Sequence, residues 1–338
     1  MLQKFLIFFR FSYPIFWRKK SNILYKLIIL VLLPLSLLFF LISSIQKRIQ
    51  KSNKIGVPVI CIGNLVAGGS GKTPMVLHLL KLLKKRGLNI HVVSRGYGGN
   101  LKGPIKVEKE KHTFDQVGDE ALLIAKENNI WISKNKYAGV FAATLNGADL
   151  IILDDGLQNN SIKKDLNIVV VDGEFGFGNG LILPAGPLRE PYKQRLKKSD
   201  ILILLNNDKY NIQKKINKYI PIIKGKSFIK NYKNLIKKKL VVFSGIGRPE
   251  KFLNSLKKKN LNILKFFSFP DHYAYSKNDL NKIINYSKNN NAIPVTTLKD
   301  KQRINRDLRK KIYFVDLEIK LEKTDVLSKK LKLKNCIK

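Results

Sequence analysis

Apolar residues are arranged in two different ways along this chain. Residues 27–45 read LIILVLLPLSLLFFLISSI, with no charged position on any helical face. As a helix this run would reach roughly 28 Å, about the hydrocarbon thickness of a bilayer. Pro34 would bend such a helix without forbidding it. Beyond residue 54 the pattern changes to short apolar runs separated by segments with helical spacing. Strands are predicted at 57–62, 89–94, 149–153, 167–171 and 200–205, and a helix at 74–85. Runs that are apolar at successive positions suit strands covered on both faces, as in parallel sheets. The β–α alternation predicts a doubly wound, mostly parallel α/β domain.

Residues 207–235 are rich in Lys and Asn, have little periodicity and read as a connecting region. A second β–α series follows, with strands expected at 239–244, 262–267, 292–297 and 312–317. Helices are expected at 250–259 and 276–288, the latter opened by a capping box of Ser276 and Asp279, and a basic helix ends the chain. The organisation expected is therefore a membrane-associated segment at 1–50, a main domain at 51–206, a connection at 207–235 and a smaller α/β domain at 236–338.

Flanking chemistry sharpens the reading of the first segment. MLQKFLIFFRFSYPIFWRKK places aromatic rings among cations, a composition suited to the headgroup region, and QKRIQKSNK follows as a second basic flank. The apolar run is long for a cleaved leader and no A-x-A-like site follows it. A membrane anchor is expected, with the following domain on the cytoplasmic side; the run itself does not say whether it spans or dips in from one face. Charge adds little. The formal net charge is +40, but the excess is mostly Lys and comes with many Asn and Ile, as an AT-rich coding sequence would give. No basic motif interleaved with aromatics accompanies it, so no nucleic-acid partner is expected. Cys61 and Cys336 cannot form a metal site alone, and a reducing compartment is expected.

The chemistry begins at residues 66–73, VAGGSGKT, directly after a predicted strand and before a predicted helix. Gly68, Gly69 and Gly71 would let backbone N–H groups close around phosphate oxygens, with Val66, Ala67 and Ser70 completing the loop. Lys72 would reach the outer phosphates and Thr73 would offer a hydroxyl to Mg2+. Val66 stands where the general consensus has Gly. Asp154 and Asp155 end an apolar strand, where carboxylates hold Mg2+ or its waters; the same DDG is also ordinary turn chemistry. Asp119 and Glu120 open a probable helix, which suits the helix dipole. SRGYGG at 94–99, the long Gly/Pro loop 173–191 with Glu174, Arg189 and Glu190, and FPDHYAYS at 269–276 with His272 are further candidates.

Taken in order, IGNLVAGGSGKTP, SRGYGG, VGDEA, LDDGLQ, GNGLILPAGPLREP, FPDHY and TLKDK resemble the tetraacyldisaccharide 4'-kinase family, the lipid A 4'-kinases of Gram-negative bacteria. The resemblance covers nearly the whole chain, and a loop lacking the first Gly is usual in that family. It implies a P-loop fold that uses ATP and Mg2+ to phosphorylate the 4'-hydroxyl of a tetraacyl glucosamine disaccharide 1-phosphate in lipid A biosynthesis. It also implies work at the cytoplasmic face of the inner membrane, with no obligate protein partner. By likeness Asp119 is the base and His272 its partner, while Lys72 and Arg189 neutralise phosphate charge. Thr73, Asp154 or Asp155, Gln158 and Glu190 organise Mg2+, and Arg95 and Tyr97 face the sugar headgroup. Leu157, Asn159 and Leu298 depart from the family pattern, so no role is carried over to them. A membrane-associated partition or signalling ATPase is the alternative, but that class carries a Lys at the start of the loop, where Val66 and Ala67 stand here.

Overall fold

A computed structural model describes residues 14–18 and 22–337. Most of the aromatic and basic run 1–20 lies outside the described residues. The strands are β1 (Val59–Gly63), β2 (Ile90–Ser94), β3 (Ile105–Lys106), β4 (Asn129–Ile132), β5 (Leu150–Asp154), β6 (Leu166–Asp172) and β7 (Ile201–Leu205). There follow β8 (Ile222–Ile229), β9 (Lys239–Ser244), β10 (Asn262–Ser268), β11 (Ala292–Thr297), β12 (Tyr313–Val315) and β13 (Leu317–Leu321). The first sheet has nine strands in the order β13-β8-β7-β6-β1-β5-β2-β4-β3. It is parallel except at its two edges, where β13 and β3 run antiparallel to their neighbours. A four-stranded parallel sheet, β10-β9-β11-β12, forms the second unit.

The central strands of the first sheet are buried at every position, which is why their sequences show no alternation. Apolar clusters cover both of its faces. The second sheet is likewise packed on two sides. Ser276 and Asp279 form the expected reciprocal cap of the helix Lys277–Asn289.

The expected division of the chain differs from this topology in two places. Residues 222–229, inside the stretch read as a connection, form β8 and pair with β7. Its IIKGKSFI sequence alternates between buried and exposed positions, and its Lys and Gly residues mask the pattern. The run read as one strand at 312–317 is broken at Asp316: β12 stays in the second sheet, while β13 returns to the edge of the first. The helix Thr324–Leu333 then buries Leu327 and Leu331 in the first unit's core. The chain thus crosses between the units twice, after β8 and before β13.

A helix spans Ile23–Ile49, longer than the apolar run, with Pro34 inside it. It is long and apolar enough to cross a membrane, and 6% of its most apolar window is buried. One stripe does meet the body. Ser36 is buried, donating to the carbonyl of Ile182 at 3.0 Å and accepting from Ala185 N–H at 3.0 Å. Lys47 and Gln50 lie three and four turns further along the same stripe, and contact Glu190 and Asn160. Just upstream, Trp17 is buried and donates from Nε1 to the Pro184 carbonyl at 2.9 Å.

Asp300 knits the carboxyl end of the second sheet. Its side chain has no exposure and accepts from Ser244, Gly245 N–H, Tyr275, Thr296, Thr297 and Arg303 at 2.6 to 3.2 Å. Replacing it by Ala removes the shared acceptor of these groups and leaves the buried Arg303 with Asp119 alone, and breaking a buried ion pair costs about 3–5 kcal/mol. Asp300→Ala is therefore expected to lower the denaturation midpoint of the folded chain markedly, and an unchanged midpoint would deny Asp300 this structural role.

Candidate active site

The phosphate loop springs from the end of β1. Gly71, with φ 94°, turns the chain into the helix Lys72–Lys84 in a conformation that side chains resist. A Cβ at Gly71 would also come within 2.8 Å of Leu205 Cδ1. Asn64, which has no exposure, braces the loop from beneath. Its Nδ2 donates to the carbonyls of Val66 at 2.8 Å and Gly68 at 3.2 Å, and its Oδ1 accepts from Lys72 Nζ at 3.1 Å. Ser70 Oγ is buried with no partner among the described residues.

Asp154 ends β5 and Asp155 follows it in a left-handed conformation, so the two carboxylates have separate environments. Asp154 Oδ2 accepts from Ser94 Oγ at 3.2 Å, while its Oδ1 is buried without a partner among the described residues. Burial first, then the charges of Glu120 and Asp155, push the Asp154 carboxyl up to about 6. Asp155 adopts φ 51° and turns to Arg189, whose Nη1 lies 2.9 Å from both carboxylate oxygens, and to Lys72 Nζ at 3.5 Å. Burial would raise Asp155, but Arg189 and Lys72 outweigh it and hold it below the ordinary carboxylate range. Asp154 and Thr73 therefore offer oxygen atoms not committed to a cation, a donor set suited to Mg2+.

The second unit closes the site from above. Its GIGRPE turn lies over the phosphate loop: a Cβ on Gly247 would come within 3.2 Å of Gly69 N. Arg248 and Lys251 hold Asp172 at 3.0 and 2.9 Å across the divide. A second crossing centres on Asp119, which is 2% exposed. His272 Nδ1 reaches its Oδ1 at 3.1 Å and Arg303 Nε its Oδ2 at 3.1 Å. Lys299 stands 4.0 Å from Asp119 and 3.0 Å from Glu120. Burial alone would raise the Asp119 carboxyl, but Lys299, His272 and Arg303 together hold it well below its usual range.

SRGYGG and VGDEA meet because Gly118, at φ 87°, presses against the other turn: a Cβ there would stand 2.3 Å from the Tyr97 carbonyl. That contact sets Asp119 at the start of its helix and brings the Tyr97 ring within 4.9 Å of the His272 ring centroid.

Lys72, Thr73, Arg95, Tyr97, Asp154, Asp155, Gln158, Arg189 and His272 line one cavity of about 1110 Å3, together with Ala67, Gly68, Gly69, Ser70 and Gly71. Three expected residues stand off its wall. Val66 is 4% exposed and pairs with Leu188, so it shapes the loop from behind. Asp119 sits behind His272. Glu190 spends both oxygens on Arg195 at 2.9 Å, with Lys47 at 2.8 Å and Gln158 at 2.9 Å, which leaves it poorly placed as a metal ligand. Gln158 is similarly engaged, by the Asn64 carbonyl at 3.2 Å and Glu190. Asn64, Lys136, Lys299 and Arg303 were not singled out in the sequence. Lys136 is buried and donates to the Asp154 carbonyl at 2.6 Å. Lys299 and Arg303 lie in and just beyond TLKD, and both look ordinary in a Lys-rich chain.

The family model for tetraacyldisaccharide-1-P 4'-kinase matches residues 28–335. A tetraacyldisaccharide 4'-kinase of Rhodospirillum centenum is 38% identical over 322 residues, covering 94% of this chain and 95% of that protein. Its counterpart in Rhodospirillum rubrum is 40% identical over 271 residues, covering 79% and 82%. A crystal structure of LpxK from Aquifex aeolicus in complex with ATP superposes with a TM-score of 0.73 at 29% identity, over 91% of this chain and 99% of that one. With a phosphate loop, paired carboxylates and a cross-unit Asp–His contact in one cavity, and with relatives matched over nearly its full length, the chain belongs to the tetraacyldisaccharide 4'-kinase family.

Proposed function

We propose that this chain transfers the γ-phosphoryl of ATP to the 4'-hydroxyl of a tetraacyl glucosamine disaccharide 1-phosphate at the cytoplasmic face of the inner membrane. The observation that carries this reading is a single cavity walled by the phosphate loop on one side, by His272 and Tyr97 on another, and by the apolar helix on a third. Phe39, Ser43, Gln46, Lys47 and Gln50 of that helix line it. A lipid headgroup can therefore enter with its acyl chains following the helix back into the bilayer. The helix then need not span. The stripe from Ser36 to Gln50 faces the protein, leaving residues 27–35 apolar all round, about 14 Å of helix, which is short of a core about 30 Å thick.

Phosphoryl transfer asks for positioning and charge neutralisation more than covalent help. The loop N–H groups and Lys72 hold the phosphates, and Arg189 faces the charge that shifts during transfer. Thr73 and Asp154 would hold Mg2+, which supplies further neutralisation of the phosphate oxygens when bound. The acceptor hydroxyl loses its proton to the His272–Asp119 pair. Asp119 is enclosed and held at low basicity, whereas His272 is on the cavity wall. The proton accordingly goes to the imidazole, with Asp119 fixing the ring through Nδ1 and balancing its positive charge. In this reading His272, and not Asp119, meets the hydroxyl. Because His272 comes from the second unit, the base is assembled only with the units closed.

Asp119→Asn and His272→Asn are each expected to lower kcat on the disaccharide by about 100- to 10000-fold while ATP affinity stays within a few-fold. A near-normal rate in either variant would remove the pair from proton transfer. The Asp154 carboxyl supplies a pH test. Its folded value lies about two units above the usual 3.8, so between those values the native state keeps a proton that the unfolded chain has released. Ionising Asp154 thus costs stability as pH rises toward 6, and a divalent cation must displace that proton below 6. Affinity for Mn2+, followed by paramagnetic resonance on nucleotide-free protein, should fall about tenfold per pH unit below 6. Asp154→Asn should abolish the binding, and pH-independent binding down to pH 5 would remove Asp154 as the ligand.

A further inference from the structure

The loop 173–191 is held at successive points by the apolar segment, and it carries Arg189 near its end. Trp17 caps the Pro184 carbonyl, Ser36 bridges Ile182 and Ala185, and Lys47 reaches Glu190. On its other side the same loop is stitched to the phosphate loop. Ala67 N–H donates to the Pro187 carbonyl at 2.8 Å, and Arg189 N–H to the Leu65 carbonyl at 2.9 Å. Between these two attachments lies Glu190, 7% exposed. Arg195 alone satisfies both carboxylate oxygens through a two-pronged pair at 2.9 Å, so charge balance does not require a second cation. Lys47 nevertheless adds one from a different element. Gln158 carries the connection onward, donating to Glu190 Oε1 at 2.9 Å while its Oε1 stands 3.5 Å from Arg189 Nη1.

We propose that Glu190 is a positioning residue that ties the seating of the apolar helix, through Lys47, to the placement of Arg189 over the phosphate site. The proposal rests on the kinase reading, in which Arg189 faces the transferred phosphoryl group. The helix then does more than hold the enzyme at the membrane. Its docked position is read by the loop that carries Arg189, and a helix displaced from the body loosens that guanidinium. Loss of the Lys47 contact should therefore appear in the chemical step and not in nucleotide binding.

The test uses the full chain on phospholipid vesicles containing the tetraacyl disaccharide 1-phosphate. Lys47→Met is expected to lower kcat about tenfold, with KM for ATP and the vesicle-bound fraction within about twofold of wild type. Lys47→Arg, which keeps the charge, should recover most of the rate. In an Arg189→Lys background Lys47→Met should cost less than about twofold more, because residues acting through one group do not add. Effects that multiply in the double variant would overturn the proposal, as would a Lys47→Met chain whose only change is weaker vesicle binding. Glu190→Gln separates positioning from metal binding: an unchanged Mg2+ requirement at lowered kcat supports the proposal, and a raised requirement overturns it in favour of a ligand role. A wild-type chain that transfers nothing to the disaccharide would instead sink the kinase reading itself.

Discussion

Asp119 is a carboxylate removed from water, and it can stay ionised there only because cations surround it. Dehydrating an unmatched charge costs several kcal/mol even after relaxation. Here the cations Lys299 and Arg303, and the His272 ring that meets its Oδ1, all come from the second unit. The two units are therefore joined at the point where the chemistry is set. Arg303 is shared: one side meets Asp119 and the other Asp300, which organises the end of the second sheet. Opening the cleft would strip Asp119 of its partners while leaving it against its own sheet, so the closed arrangement is electrostatically preferred as long as Asp119 is charged. Protonating it would weaken that preference. Its carboxyl lies below the usual range, so the contribution is present above the unfolded value near 3.8 and is lost only as pH falls through the still lower folded value.

A similar economy governs the loop side. Arg189, Asp155, Lys72 and Asn64 form a continuous set of contacts from the long loop to the phosphate loop. Each group is fixed by at least one neighbour that is itself fixed, so the transfer proposed above would need little reorganisation of these side chains. The apolar helix enters this set at Lys47. The apolar helix and the phosphate loop are thus linked in space although residues 47 and 189 lie far apart in the chain.

Much of this was legible in the sequence, and the exceptions have physical reasons. The phosphate loop was visible because its function demands glycines at fixed places between a strand and a helix. The buried strands of the first sheet were visible because burial on both faces leaves an uninterrupted apolar record. β8 was not, since it lies next to an edge strand and keeps Lys224 and Lys226 exposed on alternating positions. The return of β13 was hidden because a strand's sequence does not say which sheet it joins. Lys72, Asp154, Arg189 and His272 stand at motif centres, and the fold gathers them around one cavity. Asn64, Lys299 and Arg303 do not stand out, because an Asn after a strand or a Lys and Arg in a Lys-rich chain look ordinary. Their roles come from distance, which sequence spacing does not encode. Glu190 shows the opposite case: a motif residue assigned to metal by position is claimed in three dimensions by Arg195 and Lys47.

Composition misled least where it was discounted. A chain with a formal charge of +40 carries a strong field, yet exposed charges are screened within about 8 Å at physiological ionic strength. The interactions that decide chemistry here are of another kind. Arg303 and Asp119 have side chains 1% exposed and meet at 3.1 Å, in surroundings where attraction is several-fold stronger than at a wet surface. Lys81 and Glu318 meet at 2.5 Å, but the lysine is 60% exposed, and such a pair contributes about 0–1 kcal/mol. Two pairs of similar chemistry thus differ in consequence because of what surrounds them. The cations closest to the chemistry proposed above are the few which the fold has set against Asp119, Asp155 and Glu190.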